Sequence, residues 1–160
     1  GGTAPIPPED VRAIENLIDD QGDLHFVISY PAQNGIPAHR VAFTHVEDHA
    51  AVNGTACTIV TRVLAQRGSI PAAHYRSVFT LGDVGHIYIT TMSAYSSAPR
   101  GRPVSTNAPQ NSADPEIQMV VLDQRNDGPQ GIFMFRAIEP ARRFFAVLQR
   151  VVPRCGGRNE

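Results

Sequence analysis

Lysine is absent from this 160-residue chain; all 14 basic side chains are arginines. That excludes a lysine Schiff base, a P-loop lysine and a Ser-Lys dyad. Charge of either sign is scarce, at 18% of residues, below the usual share of about 25%. The 14 bases against 15 acids leave a net charge of −1, so no basic surplus points to nucleic acid. Long apolar runs are missing, and no membrane span is expected. There is no GxSxG elbow, no P-loop and no GxGxxG opening a helix, so no cofactor is expected either. Cysteine occurs only twice, as Cys57 and Cys155.

What is present is globular. Hydrophobic residues make up 42%, and the length suits one domain with a real core. The opening GGTAPIPPED has neither a charged n-region nor an apolar centre. Residues 1–7 are expected to form a flexible Pro-rich lead, as in an exported protein whose signal has been trimmed. Val11, Ile14, Leu17 and Ile18 then recur at helical spacing before Gly22, which predicts a helix over about 8–20. DLHFVISY and HRVAFTHV alternate about a Pro/Gly turn and predict a hairpin.

NGTACTIVTRVL reads as a helix start, with Asn53 or Thr55 as cap, and the expected helix covers about 48–66. YRSVFTLGDVGHIYITTMSAY is expected to form a second hairpin around Gly82–Gly85, and EIQMVVLDQ with GIFMFRAI a third. The Ser/Pro/Asn-rich stretch 96–115 has no periodicity and is expected to be a mobile loop. In EPARRFFAVLQRVVP, Phe144, Phe145, Leu148, Val151 and Val152 make the apolar stripe of a last helix. The expected fold is α+β, one domain over 8–155 with a flexible tail at 156–160. It holds about six mainly antiparallel strands in sequential hairpins and three helices, in the order α-β-β-α-β-β-β-β-α.

Cys57 and Cys155 each lie beside an apolar helix that must bury a face. Antiparallel neighbouring helices would bring them together, which predicts a Cys57–Cys155 disulfide and an oxidising compartment, periplasmic or extracellular. A cytoplasmic location is the alternative, with both thiols free. In that case Cys57 is a candidate nucleophile, His86 its general base, and Asp83 or Asp123 the group orienting the ring. NGTACTIV followed by GDVGHIYIT resembles papain-like or NlpC-type amidases over about a dozen residues, although a DCSGL-type surround of the nucleophile is missing. The resemblance implies cleavage of amide or peptidoglycan-like substrates.

His39, His45 and His49 fall close together in HRVAFTHVEDH, and with Glu47 or Asp48 they make a candidate zinc set without a tight metal motif. Arg142 and Arg143 sit in the first turn of the last helix, against the dipole preference. With Arg100 and Arg102 they form a candidate surface for an acidic protein partner. Phe26, Phe43, Phe133 and Phe135 are candidates to line an apolar pocket. Together these features favour a non-enzymatic, exported protein of bacterial cell-envelope type, such as an inhibitor, immunity-like factor or secretion accessory. A Cys57/His86 hydrolase and a small-molecule carrier are the alternatives.

Overall fold

The four consecutive residues Met119–Leu122 are all buried, and that continuous apolar run marks the centre of the molecule. The computed structural model describes residues 4–98 and 108–159. Its elements are α1 (Pro8–Asp19), β1 (Asp23–Tyr30), β2 (His39–Asn53), β3 (Thr58–Arg67), β4 (Ala73–Thr80), a 3-10 turn (Leu81–Asp83), β5 (Val84–Thr91), α2 (Met92–Ser97), β6 (Ser112–Asp114), β7 (Gln118–Gln124), β8 (Gly131–Phe135) and α3 (Ile138–Arg154). A five-stranded sheet runs β4-β3-β2-β1-β6, and a three-stranded sheet runs β5-β7-β8. All strand pairs in both are antiparallel. The class is α+β, with three helices among the described residues.

β7 is central in its sheet and buried on both faces. Val120 and Leu122 join Phe133, Phe135, the helices α1 and α3, and Ile59 and Phe79 of the larger sheet in one core. Met119 and Val121 join Phe26, Ile28, Met92 and Ile117 in a second. α3 buries Ala141, Phe144, Val147, Leu148, Val151 and Val152, one face at helical spacing, with Phe145 half-buried on its flank.

The stretch expected to be a helix over about 48–66 is instead the end of β2, a turn and β3. Asn53-Gly54 between apolar alternations is a hairpin signal, and Ile59, Val60, Thr61 and Val63 are β-branched. The Asn53 side chain accepts the amides of Thr55 and Ala56 at 3.0 and 2.8 Å. The same hydrogen bonds would cap a helix; here they close an Asx turn. The expected hairpin at Gly82–Gly85 is also absent. β4 stays on the edge of the larger sheet, the 3-10 turn crosses over, and β5 pairs with β7. The other two expected hairpins are present, with Tyr30 opposite His39 and Phe135 opposite Gln118.

Residues 4–7 are held, not loose: Ile6 is buried and donates to the Gly54 carbonyl, and the Ala4 amide donates to Arg154. The end of the chain is held as well, since Arg158 donates its amide to Val84 and Gly157 donates to Val152. A Cβ on Gly157 would collide with the Leu81 carbonyl, so this close approach needs glycine. Part of the expected 96–115 loop lies outside the described residues. Of the rest, Ser112–Asp114 pair with β1 as β6, and Asn111 bonds Ser96 and Ser97.

β2 carries a bulge in which His49 and Ala50 together oppose Thr61, with His49 in the left-handed region (φ 52°). Before the bulge the strand pairs with β1. After it, α1 takes over that edge: Asp19 accepts the amide of Ala50 and Glu15 that of Val52, each at 3.0 Å. Asp19 thus sits at the wrong end of the helix for the dipole because its carboxylate serves a strand.

Cys57 and Cys155 are bonded, with Cα atoms 5.8 Å apart, and both are buried. Their sulfurs tie the β2–β3 turn to the end of α3 across a sequence separation of 98. On the chain-entropy view, opening that loop in Cys155→Ser costs about 4–5 kcal/mol in denaturant unfolding. In the same assay Phe144→Ala costs about 3–5 kcal/mol and Phe145→Ala clearly less. Equal losses at the two phenylalanines would contradict the helix orientation described here.

Candidate functional site

Residues paired in register share a face of the larger sheet. On the face turned toward β8 these are Leu24 and Phe26 of β1, Phe43, His45 and Glu47 of β2, Thr61, Val63, Ala65 and Arg67 of β3, and Tyr75, Ser77 and Phe79 of β4. A groove runs between this face and β8. One lobe, about 470 Å³, lies among His45, Glu47, Val63, Tyr75, Phe79, Gln130, Phe133 and Met134. A second, about 340 Å³, lies among Phe26, Phe43, Arg67, Ile70, Pro71 and Met134. His45, Ala65 and Met134 line both and form the waist between them. β8 can approach closely at its start because Gly131 has no side chain; a Cβ there would lie 2.7 Å from the Phe79 ring.

The groove floor is polar at one place. Glu47 has a side chain only 10% exposed. It accepts a 2.6 Å hydrogen bond from the buried Thr61 hydroxyl and faces His45 Nε2 at 3.4 Å. The inward aim continues that of Phe43 and His45, and the bulge that begins two residues on reverses it: odd positions point in before the bulge, and Ala50 and Val52 pack inward after it. Burial, and secondly the Glu47 charge, push the Tyr75 phenol above its ordinary value of 10.0. A second polar set lies at the far end. Gln130 donates to Asp123 at 2.6 Å and accepts from the Tyr95 hydroxyl at 2.7 Å. The Tyr88 phenol is pushed up by burial and by Asp123, while its bond with Gln130 works the other way.

Of the four phenylalanines expected to line one pocket, three line the groove and Phe135 is fully buried in the core. Phe26 and Phe43 stack at 5.3 Å in one lobe, Phe133 lines the other, and Phe135 lies at the base beside Leu24. The histidine set does not come together. His39 stacks on Tyr30 and bonds the Pro37 carbonyl, six residues and about 20 Å of strand from His45. The bulge turns His49 outward, onto Asp48 at 2.7 Å. Among the described residues no three His, Cys, Asp or Glu side chains gather for a metal.

Cys57 has no thiol to offer, its sulfur being bonded to Cys155. It also lies in a turn, with a left-handed backbone (φ 57°), rather than at a helix start. His86 is exposed on β5 against Tyr88, opposite Asp123 in register, and Asp83 lies in the 3-10 turn. Arg142 and Arg143 are exposed on α3, and Arg100 and Arg102 lie outside the described residues. Glu47 as a groove residue, with Thr61, Tyr75 and Arg67, escaped the sequence reading. Ending the strand near Val46 hid the inward parity of Glu47, which continues that of Phe43 and His45.

Comparison with known proteins adds no relative: no family model, curated protein or solved structure matches this chain. Among the described residues no helix is long and apolar enough to cross a membrane.

Both raised tyrosines keep their protons to higher pH in the native state than in the unfolded chain. Their contribution to stability is fully present below the unfolded value and is lost as pH climbs through the raised native value. Glu47→Gln removes the second cause at Tyr75, so its phenol should titrate lower, toward 10.0, in NMR of ring-labelled tyrosine. An unchanged midpoint would show that the Glu47 charge does not reach that hydroxyl.

Proposed function

We propose that this protein acts by binding, and that it holds a small, largely apolar molecule in the groove between its two sheets. The observation that carries this reading is the pair of adjoining lobes, about 470 and 340 Å³, with aromatic walls and a few polar groups. Ligand sites commonly have volumes of about 300–1,000 Å³, apolar linings and a few convergent polar groups. Phe26, Phe43, Val63, Phe79, Phe133 and Met134 supply the apolar walls, and Glu47 with His45 supplies the polar point. Burial of the ligand's apolar surface drives uptake, and the polar point orients it.

The buried disulfide fits an oxidising compartment. We place the protein outside the cytoplasm, in a periplasm or in the extracellular space, as a carrier or sensor of such a molecule. Catalysis by Cys57 is not part of this reading, since its sulfur is already bonded.

Nile red, an uncharged apolar dye, tests the groove directly. Its emission should rise and shift to the blue on adding the folded protein. Ala65→Trp fills the waist that the lobes share and should abolish the rise; Ala65→Leu, a milder filling, should weaken it. Undiminished dye binding by either variant, with its thermal midpoint kept, would remove the groove as the binding site.

A further inference from the structure

Arg67 ends β3 directly opposite Phe43 and lines the smaller lobe. Its guanidinium carbon lies 5.7 Å from the centre of the Phe43 ring and 5.9 Å from that of Tyr30. Among the described residues it has no carboxylate within ion-pair distance; the carboxylates that meet a basic side chain meet His45, His49 and Arg150. A guanidinium lying over rings keeps its in-plane N–H donors available at its edge. Arg67 is exposed and lines an otherwise largely apolar lobe. Ile70, 62% exposed, stands at the same rim with its apolar surface in water.

The opposite charge lies farther along the groove. Glu47 pairs in register with Val63, four residues before Arg67, a separation of about 13 Å along the strand. The groove therefore has a cation at one end and a shielded carboxylate toward the middle, with apolar walls between. An anion is attracted at Arg67 and repelled at Glu47. A planar carboxylate matches the forked donors of a single arginine, with two parallel charge-assisted hydrogen bonds.

We propose that the ligand is an amphipathic monocarboxylate whose acid head sits on Arg67 and whose apolar body lies over Phe26, Phe43 and Met134 toward Glu47. This rests on the groove being the binding site. The body covers the aromatic stack and the exposed Ile70. Glu47 excludes the reversed orientation, and a hydroxyl on the distal part of the ligand would find an acceptor there.

Displacement of bound Nile red by dodecanoate, dodecanol and dodecylamine at pH 8 separates the possibilities. Dodecanoate should compete at least about tenfold better than dodecanol, the scale of a charge-assisted hydrogen bond. Arg67→Gln should erase that advantage by weakening dodecanoate far more than dodecanol, while Arg67→Lys should keep part of it. Arg67 is exposed at a strand end, and the lysine variant serves as the second readout if glutamine disturbs the fold. Equal competition by acid and alcohol, a preference for the amine, or an unaltered Arg67→Gln would overturn the headgroup assignment with the groove intact. Failure of all three to displace the dye would overturn the groove reading itself.

Discussion

One knot of covalent and hydrogen bonds ties the larger sheet to the helix packed on the smaller one, beside the core that the two sheets share. Cys57 lies in the turn between β2 and β3, and its bond to Cys155 joins the larger sheet to the helix that covers the smaller one. The same turn accepts the Ile6 amide at Gly54 and the Leu81 amide at Cys57. The end of α3 accepts Ala4, and the chain beyond it donates to Val84. First, middle and last segments therefore meet within a few residues of one disulfide. A left-handed backbone at a non-glycine residue costs on the order of 1 kcal/mol, and at Cys57 it is retained where a sulfur is needed.

From that fixed frame, the bulge in β2 settles which side chains reach the groove. One extra residue reverses the parity of the strand. His45 and Glu47 stay inside, His49 goes out, and Val52 returns to the core. Glu47 remains tolerable as a nearly enclosed carboxylate because Thr61 donates to it and His45 stands beside it. A buried acid without such partners would cost several kcal/mol or take up a proton. The bulge thus lets one strand give its odd positions to the groove and its last even positions to the core.

Much of this was legible in the residues, and the failures have physical causes. The terminal helices, the β1–β2 and β7–β8 hairpins and the disulfide follow from periodicity, turn chemistry and cysteine count. The region around Asn53 did not, because an asparagine accepting the next amides serves equally as helix cap and as Asx turn. What should have decided between them was the β-branched run after Cys57. The disulfide was expected between two helix ends and is found between a turn and a helix end. The phenylalanines of the groove could be named from composition. Glu47 and Arg67 could not, since their placement depends on a bulge and on register across three strands. The lead looked loose because its bonds go to Gly54 and Arg154, far along the chain, and of the tail's bonds the one from Arg158 to Val84 is likewise distant.

The two carboxylates of α1 that accept strand amides have a meaning beyond local bonding. Where β2 leaves β1, its backbone would otherwise present free donors at Ala50 and Val52. An open strand border of this kind is a template for addition of another chain. Glu15 and Asp19 occupy those donors with groups that cannot extend a sheet, and they carry negative charge to the spot. The first helix thus closes this stretch of strand edge. Without the two carboxylates those strand amides would stand open at the surface, a border at which one molecule could pair with the next.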